Sequence, residues 1–258
     1  MSFSPLDDFW LRITRDQISE YTHTHKYGTY ETVGTSFVPI ARGGVYQTPT
    51  AAAALEIVSS DANDTSAGSG ARTVTIIGLN SSWAEVTQTV SMNGTTAVAL
   101  GTNLIRAYRM YVATSGTYGT ATAASHAGTI TLQGSGGGAT WLQIYSTNFP
   151  RGQSECGVYT VPTGKTAIVN FHYISVESNK PATIVFLQRE NADTVAAPYS
   201  AVRAAYELGG LQGFASLIDT AAAQGPFVGP CDIGFMGRFD TGTGSISCEF
   251  EIVLYDTV

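Results

Sequence analysis

Charged residues are scarce in this sequence, and the basic ones are not clustered. Asp, Glu, Lys and Arg make up 13% of the 258 residues, whereas about a quarter is typical of soluble domains. The net charge is −7 and the 13 basic residues are scattered, so we expect no nucleic-acid partner, because phosphate neutralisation needs clustered Lys and Arg. The low charge fits either a β-rich chain with many turns or a surface buried against copies of itself or a partner, since interface cores lose charged residues.

Long apolar runs and paired cysteines are missing as well. No apolar run is long enough to span a bilayer, and the N-terminus lacks the basic start and apolar core of a signal peptide. Cys156, Cys231 and Cys248 are far apart, and without a Cys-x-x-Cys pair we expect no zinc ribbon. We therefore expect no membrane partner and a chain that stays in a reducing cytoplasm until it is assembled.

Complete catalytic patterns are also missing. The sequence has no nucleophile elbow, Walker loop, dinucleotide fingerprint, paired glycosidase carboxylates or β-helix repeat. Asp61, Asn63 and Asp64 begin like a calcium loop, but Arg72 stands where the loop needs glutamate, so we expect a turn with Asx caps. His172 lies in an apolar strand and is expected to be a core or interface residue. We therefore expect a non-enzymatic protein that needs no cofactor.

The sequence is rich in the period-two alternation of β-strands. Residues 84–92 alternate, with an apolar face formed by Ala84, Val86, Val90 and Met92. Such alternation predicts a half-buried antiparallel strand, and the following Asn93-Gly94 predicts a hairpin turn. Cys248 lies on the apolar face of a similar segment near the C-terminus, so we expect a buried thiol on a mid-sheet strand. Strands at short, regular spacing predict an all-β fold of one or two antiparallel β-sandwich modules, jelly-roll-like, with an extended N-terminal arm.

The composition divides the chain into three parts. We predict an arm over residues 1–50, a β-sandwich module over 51–133 and a second one over 139–258. The arm packs on a neighbouring subunit or on its own body; the alternative is an ordinary strand pair of the first module. Gly134–Gly138 is either a flexible linker or a hairpin tip. In the second module, we expect a hairpin between residues 166–176 and 181–188, and a short helix over 217–224.

Several short segments carry a resemblance to a known group of proteins. They are Leu55–Ser60, Asn63–Asp64, Gly68–Val74 and Thr89–Thr96. This set resembles a β-module common in virion proteins of tailed bacteriophages, marine and cyanophage-like ones especially. The resemblance covers about residues 50–133 and, more loosely, the C-terminal half, where Val161–Lys165 matches a strand end found in phage and viral β-sandwiches. It implies a structural protein of the virion, of the decoration or cement type.

Three functions remain open at this point. The first is a capsid decoration or cement protein, most simply a homotrimer that contacts the major capsid protein or other virion proteins. The second is a neck, tail, baseplate or fibre-adaptor component. The third is a carbohydrate-binding module for host attachment, in which exposed aromatic side chains stack on sugars: Trp83, Trp141, Tyr118 and Tyr145.

Two sets of residues are candidates for contacts between subunits. The first is a set of apolar and aromatic side chains in the arm: Phe9, Trp10, Leu11, Ile13, Tyr27 and Tyr30. The second is His23 and His25, which point to the same side of a strand. Three copies around a three-fold axis supply six imidazoles, a set that suits an octahedral transition metal, and some phage tail spikes resemble this arrangement. The alternative is a pair of exposed polar residues.

Overall fold

The fold is built from antiparallel β-strands. The computed structural model describes residues 12–13, 15, 17–120, 125–146, 152–212, 216–219 and 224–257. Every element defined within them is a strand and every strand pairing is antiparallel, which confirms the predicted all-β class. The strands form four sheets in a propeller-like arrangement rather than a clear jelly roll.

The strands defined in the described residues follow in chain order. They are β1 (Tyr21–Val33), β2 (Val38–Pro39), β3 (Leu55–Ser59), β4 (Ala71–Leu79), β5 (Glu85–Ser91), β6 (Val98–Ala99), β7 (Arg106–Ser115), β8 (Ile130–Gly134), β9 (Thr140–Ile144), β10 (Val158–Val161), β11 (Lys165–Glu177), β12 (Ala182–Glu190), β13 (Arg203–Leu211), β14 (Ser216–Asp219), β15 (Gln224–Val228), β16 (Cys231–Phe239) and β17 (Gly244–Asp256).

The four sheets divide into two pairs. Two sheets come from residues 51–146, with strand orders β6-β3-β8-β9 and β5-β4-β7, and we call this half module 1. The other two come from residues 21–46 and 152–257, which we call module 2. One of them, the terminal sheet, has the order β1-β17-β11-β14, with β15 also paired to β11. Its companion has the order β10-β16-β12-β13, with β2 also paired to β16.

The predicted arm lies, as far as it is described, on the body of its own chain. Strand β1 pairs with β17 from Tyr21 opposite Tyr255 to Tyr30 opposite Ile246. It therefore belongs to module 2, and not to a strand pair of module 1. Strand β17 lies between β1 and β11, as expected of a mid-sheet strand, and Cys248 is buried. Phe9, Trp10 and Leu11 lie outside the described residues.

The glycine-rich segment Gly134–Gly138 is the tip of the β8–β9 hairpin and not a linker. The N–H of Gly138 donates to the carbonyl of Gly134 at 2.8 Å, which closes the turn. The carboxylate of Glu56 accepts the N–H groups of Gly136 and Gly137 at 3.0 and 2.9 Å. Strand β9 consequently completes a sheet of module 1, so the boundary expected at residue 139 falls inside a hairpin.

Three local predictions are wrong. Strands β11 and β12 lie in different sheets, because β11 has β17 along one edge and β14 and β15 along the other. The segment expected to be helical instead contributes to strands β14 and β15, with residues 220–223 outside the described part. Asn93-Gly94 does form a turn, with Gly94 at a φ of 59°, but the strand that follows pairs with β3 and not back onto β5.

The two modules have different cores that interlock. The core of module 1 is mainly aliphatic, with residues such as Ile57, Ile76 and Leu132 fully buried. The core of module 2 lies between its two sheets and is aromatic: the Phe235 ring lies 5.0 Å from Phe186 and 5.7 Å from Phe250. Trp83 and Tyr108 of module 1 pack in the core of module 2, and Cys156 and Val158 of module 2 pack in the core of module 1.

Candidate functional site

A buried ion pair joins the two modules. The guanidinium of Arg106 on β7 donates to both carboxylate oxygens of Asp232 on β16, at 2.9 and 3.0 Å. Thr160 donates to the same carboxylate at 2.5 Å, and the Trp83 ring covers the guanidinium at 4.8 Å. Arg106 is 1% exposed, so both charges are removed from water and compensate each other. The cluster holds the two modules together, and Asp232 also lines a cavity of about 160 Å³ with Val158, Leu187 and Met236.

A second buried cation ties the N-terminal strand to module 1. Lys26 on β1 is buried, and its ammonium group donates to the backbone carbonyl of Tyr108 on β7. Burial lowers the pKa of Lys26 to about 8, because the protonated form loses its hydration. The same burial raises the pKa of the neighbouring thiols of Cys156 and Cys248, which keeps them protonated and unreactive.

The run that begins like a calcium loop is a polar hub of module 1. The carboxylate of Asp64 is fully buried and accepts four hydrogen bonds. It accepts the N–H groups of Ala71, Ala127 and Gly128 at 2.7 to 2.8 Å and the hydroxyl of Ser59 at 2.6 Å. Both oxygens of Asp64 are thus occupied by hydrogen-bond donors of the protein, and these bonds hold the surrounding loops together. This agrees with the expected turn and not with a calcium loop.

The two candidate metal ligands lie on the solvent face of the terminal sheet. The Nε2 atom of His23 contacts the carboxylate of Glu251, and Nε2 of His25 lies 2.9 Å from Glu249 and 3.9 Å from Glu251. Each imidazole thus has a glutamate partner in the same chain. Within the described part of the chain, no cluster of three or more His, Cys, Asp or Glu side chains is placed to hold a metal ion. A site shared by three copies stays a prediction.

The same face carries an aromatic and polar depression, which we call the tyrosine groove. Tyr27 of β1, Glu249 of β17 and Tyr173 of β11 lie opposite one another across three adjacent strands. The next row along the strands holds three hydroxyl groups, from Thr29, Ser247 and Ser175. The groove has a volume of about 240 Å³, and its lining also includes Gly28, Glu155 and Cys248.

Glycine at position 28 allows the backbone beneath the groove to pack tightly. A Cβ atom there would lie 2.0 Å from the carbonyl oxygen of Ile40 and 2.3 Å from the backbone nitrogen of Gly157. A smaller depression of about 60 Å³ adjoins the groove on the other side of Tyr27. It is lined by His25, Lys26, Tyr27, Arg109, Gln153 and Ser154.

The aromatic residues proposed for sugar stacking do not form one platform. Trp83 and Trp141 are buried at 7% and 5% exposure, each in a different hydrophobic core. Tyr145 is half-buried beneath the guanidinium of Arg42, 4.9 Å from its ring. Tyr118 is 90% exposed. Tyr173 and Glu249 were not selected from the sequence, although the alternation of β11 and β17 places both on solvent faces.

The candidate interface residues differ in their availability. Ile13 is fully buried in the chain itself. Tyr30 is half-buried and packs against the core of module 2, with its ring over Gly44. Tyr27 is half-buried and stacks on His25 at a centroid distance of 6.1 Å. The connection between β12 and β13, which the sequence did not single out, also exposes large apolar side chains: Val195, Tyr199 and Val202 are 36%, 58% and 60% exposed. We call these three side chains the apolar patch.

Comparisons with known proteins do not identify a family. No family model matches the sequence, and no curated protein matches it. Among solved structures, a chain in the structure of the infectious bursal disease virus Gx strain matches with 12% sequence identity and a TM-score of 0.22. The match covers 92% of this chain and 77% of that one. T=1 particles derived from that virus give 12% identity and a TM-score of 0.23, over 93% and 74% of the two chains.

The structure of an enzyme matches with the same TM-score as the Gx strain structure. The isomalto-dextranase of Arthrobacter globiformis, complexed with panose, is 13% identical, with a TM-score of 0.22 over 86% of this chain and 36% of that one. Similarities at this level carry no argument about fold or function.

No helix in the described residues is long and apolar enough to cross a membrane.

Proposed function

We propose that this chain is a non-enzymatic structural protein of a tailed-phage virion, and more narrowly a capsid decoration or cement protein. It acts as a homotrimer on the lattice of the major capsid protein, and it requires no cofactor, nucleic acid or membrane. It is made in the host cytoplasm and functions in the virion. The segments between Leu55 and Thr96 that resemble phage virion modules motivate this proposal.

The observation that carries the proposal is the apolar patch. Its three side chains are large, apolar and exposed on one connection between strands, and exposed apolar surface of this kind is a candidate for contacts with other proteins. Strand β13 beside the patch is an edge strand, but its pairing with β12 is interrupted twice. Such irregularities discourage open-ended strand addition. We therefore propose that contacts use side chains of the patch and close into a ring.

The interior supports a role as a rigid clamp. The Arg106–Asp232 pair, the Lys26 contact and the interlocked cores all hold the two modules together. A protein that reinforces a shell must transmit load between its contacts without opening at an internal joint. A junction made of packed side chains and a desolvated ion pair meets this requirement better than a flexible linker.

The proposal is tested by replacing Tyr199 and Val202 together with serine. Wild-type protein should show a mass near three times the 27.2 kDa chain mass by light scattering, and it should cosediment with phage heads that lack it. The double variant should lose both properties and keep its β-sheet circular dichroism. The matched control is Tyr118→Ser, because Tyr118 is exposed but lies far from the patch in the sequence.

The same experiment has two adverse outcomes. Wild-type protein that is monomeric and does not bind heads would refute the decoration function. A ring of six or twelve subunits that binds tails instead would favour the alternative placement as a neck, tail, baseplate or fibre-adaptor component. Cryo-electron microscopy of the parent particle would then locate the ring.

A further inference from the structure

We propose that the tyrosine groove binds a neutral oligosaccharide chain. This site is separate from the apolar patch and from the aromatic residues that the sequence suggested for sugar binding. It lies on the solvent face of the terminal sheet, where β1, β17 and β11 run side by side. Its recognition chemistry follows from two rows of side chains whose alignment is fixed by the strand register.

The first row supplies two aromatic surfaces with a carboxylate between them. Tyr27 and Tyr173 flank Glu249 on adjacent strands. Neighbouring strands are about 4.8 Å apart, so the two attachment points are roughly 10 Å apart. Pyranose rings present an apolar C–H face, which packs on an aromatic ring. Two such rings suit consecutive residues of a chain better than a single monosaccharide.

The second row and the groove wall supply hydrogen-bonding groups of both kinds. Thr29 Oγ1 and Ser247 Oγ lie 3.0 Å apart, and Ser175 continues the row on β11. Hydroxyl groups donate and accept, as do the hydroxyls of a sugar. Glu249 adds a carboxylate with acceptor capacity beyond the one contact that its Oε1 makes with His25. Bonds from sugar hydroxyls to a carboxylate are charge-assisted and stronger than neutral ones.

The adjoining depression extends the same chemistry beyond Tyr27. Arg109 and Gln153 line it and carry planar groups with several donors. A chain that crosses the Tyr27 ring therefore meets acceptors on one side and donors on the other. This arrangement favours an extended ligand over a compact one.

The charge around the groove favours a neutral ligand. Glu155 and Glu249 line the groove, and Glu251 lies one row away opposite His25. Arg42 is already paired with Glu155 and Glu31, and the cations Lys26 and Arg109 line the adjoining depression and not the groove itself. An anionic sugar would meet net negative charge, and like-charge contacts disfavour binding. The site is also preorganised, because its rows lie on paired strands above the tightly packed Gly28, so little ordering is needed on binding.

The test measures binding of defined trisaccharides to the full chain. Maltotriose and N,N′,N″-triacetylchitotriose are the neutral probes, trigalacturonic acid is the acidic probe, and saturation-transfer NMR and calorimetry are the readouts. We expect millimolar or tighter binding of at least one neutral probe and none of the acidic one. Tyr173→Ala should weaken binding at least about tenfold, which corresponds to about 1.4 kcal/mol, and Glu249→Gln should weaken it several-fold. Tyr118→Ala, the matched control, should leave it unchanged.

Two results would overturn the proposal. One is the absence of binding by both neutral probes at about 10 mM, well above the expected dissociation constant. The other is an equal loss of binding in Tyr118→Ala and Tyr173→Ala. Circular dichroism checks that Tyr173→Ala is folded, and Tyr173→Phe, which keeps the ring, should retain most of the affinity. Tyr173→Ala should still assemble on heads, so failure here leaves the decoration function untouched.

Discussion

The two modules reach a stable β-fold by different means. Module 1 has strands of at most 10 residues, joined by loops that polar hubs hold in place, such as Asp64 for the turns around it and Glu56 for the hairpin tip. Module 2 has strands of up to 13 residues around a cluster of phenylalanine rings. Its terminal sheet joins the two ends of the chain: His25 and Glu249 are 224 positions apart and lie 2.9 Å from each other.

This difference shows where each module is vulnerable. Module 1 depends on single polar side chains that hold its loops, through bonds to nearby residues such as Ser59 and to residues up to 81 positions away, as between Glu56 and Gly137. Module 2 depends on contacts of very long sequence separation, so it can form only when both chain ends are present. A change that removes one end should therefore affect module 2 more than any single substitution.

Deletion of residues 1–45 should have the largest effect. It removes β1 and β2, which strips one edge from β17 and exposes the core beneath Phe250. We expect module 2 to lose its cooperative unfolding transition, as measured by circular dichroism and hydrogen exchange. This reverses the expectation from sequence alone, in which the N-terminal segment is needed for assembly and not for folding. Deletion of residues 1–11 is the control, and a deletion of 1–45 that still protects β17 from exchange would contradict the prediction.

Asp232→Ala tests the junction between the modules and should rank second. It leaves the Arg106 charge buried without its partner, which typically costs about 3–5 kcal/mol. Urea unfolding should show this loss. Glu190→Ala breaks the exposed pair with Arg203 and should cost less than about 1 kcal/mol. If both variants lose the same stability, the junction does not behave as a desolvated ion pair.

Asp64→Ala tests the hub of module 1 and should have a smaller effect. It removes the acceptor for the buried N–H groups of Ala71 and Gly128, so we expect a loss of about 2–3 kcal/mol in thermal unfolding. Asp61→Ala removes only an exposed cap and should cost about 1 kcal/mol or less. Calcium should not raise the melting temperature; a calcium-dependent rise that Asp64→Ala abolishes would show that the carboxylate binds metal.

The sequence predicted which face of a strand is buried better than it predicted which strands pair with each other. The alternation in residues 84–92 correctly placed the half-buried face of β5, and the alternation around Cys248 correctly placed the buried face of β17. Alternation says which side chains share a face, but it does not say which strand lies alongside. The partners of β1, β6 and β12 depend on which edges remain free in the folded sheets, and so these pairings were not foreseen.

The tyrosine groove could not be predicted from the sequence for the same reason, because it depends on which strands lie side by side. Tyr27 was selected from the sequence as an anchor for subunit contacts, but its neighbours Glu249 and Tyr173 come from distant strands. Their row exists only because of the register that aligns β1, β17 and β11. A one-residue slip of β17 would turn Glu249 towards the core and present Cys248 or Phe250 to solvent. The site is therefore a property of strand pairing and has no local signature.

The glycine tip of the β8–β9 hairpin has a practical consequence for protein engineering. A Cβ atom at Gly136 or Gly137 would meet nothing within 4 Å, although their φ angles of 79° and 76° disfavour other residues. Foreign peptides are tolerated best at exposed loop tips, and each doubling of a loop costs only about 0.6 kcal/mol. An epitope grafted between these two glycines would be displayed by every copy of the protein, two residues after the end of β8 and three before the start of β9, and it would have to replace their bonds to Glu56.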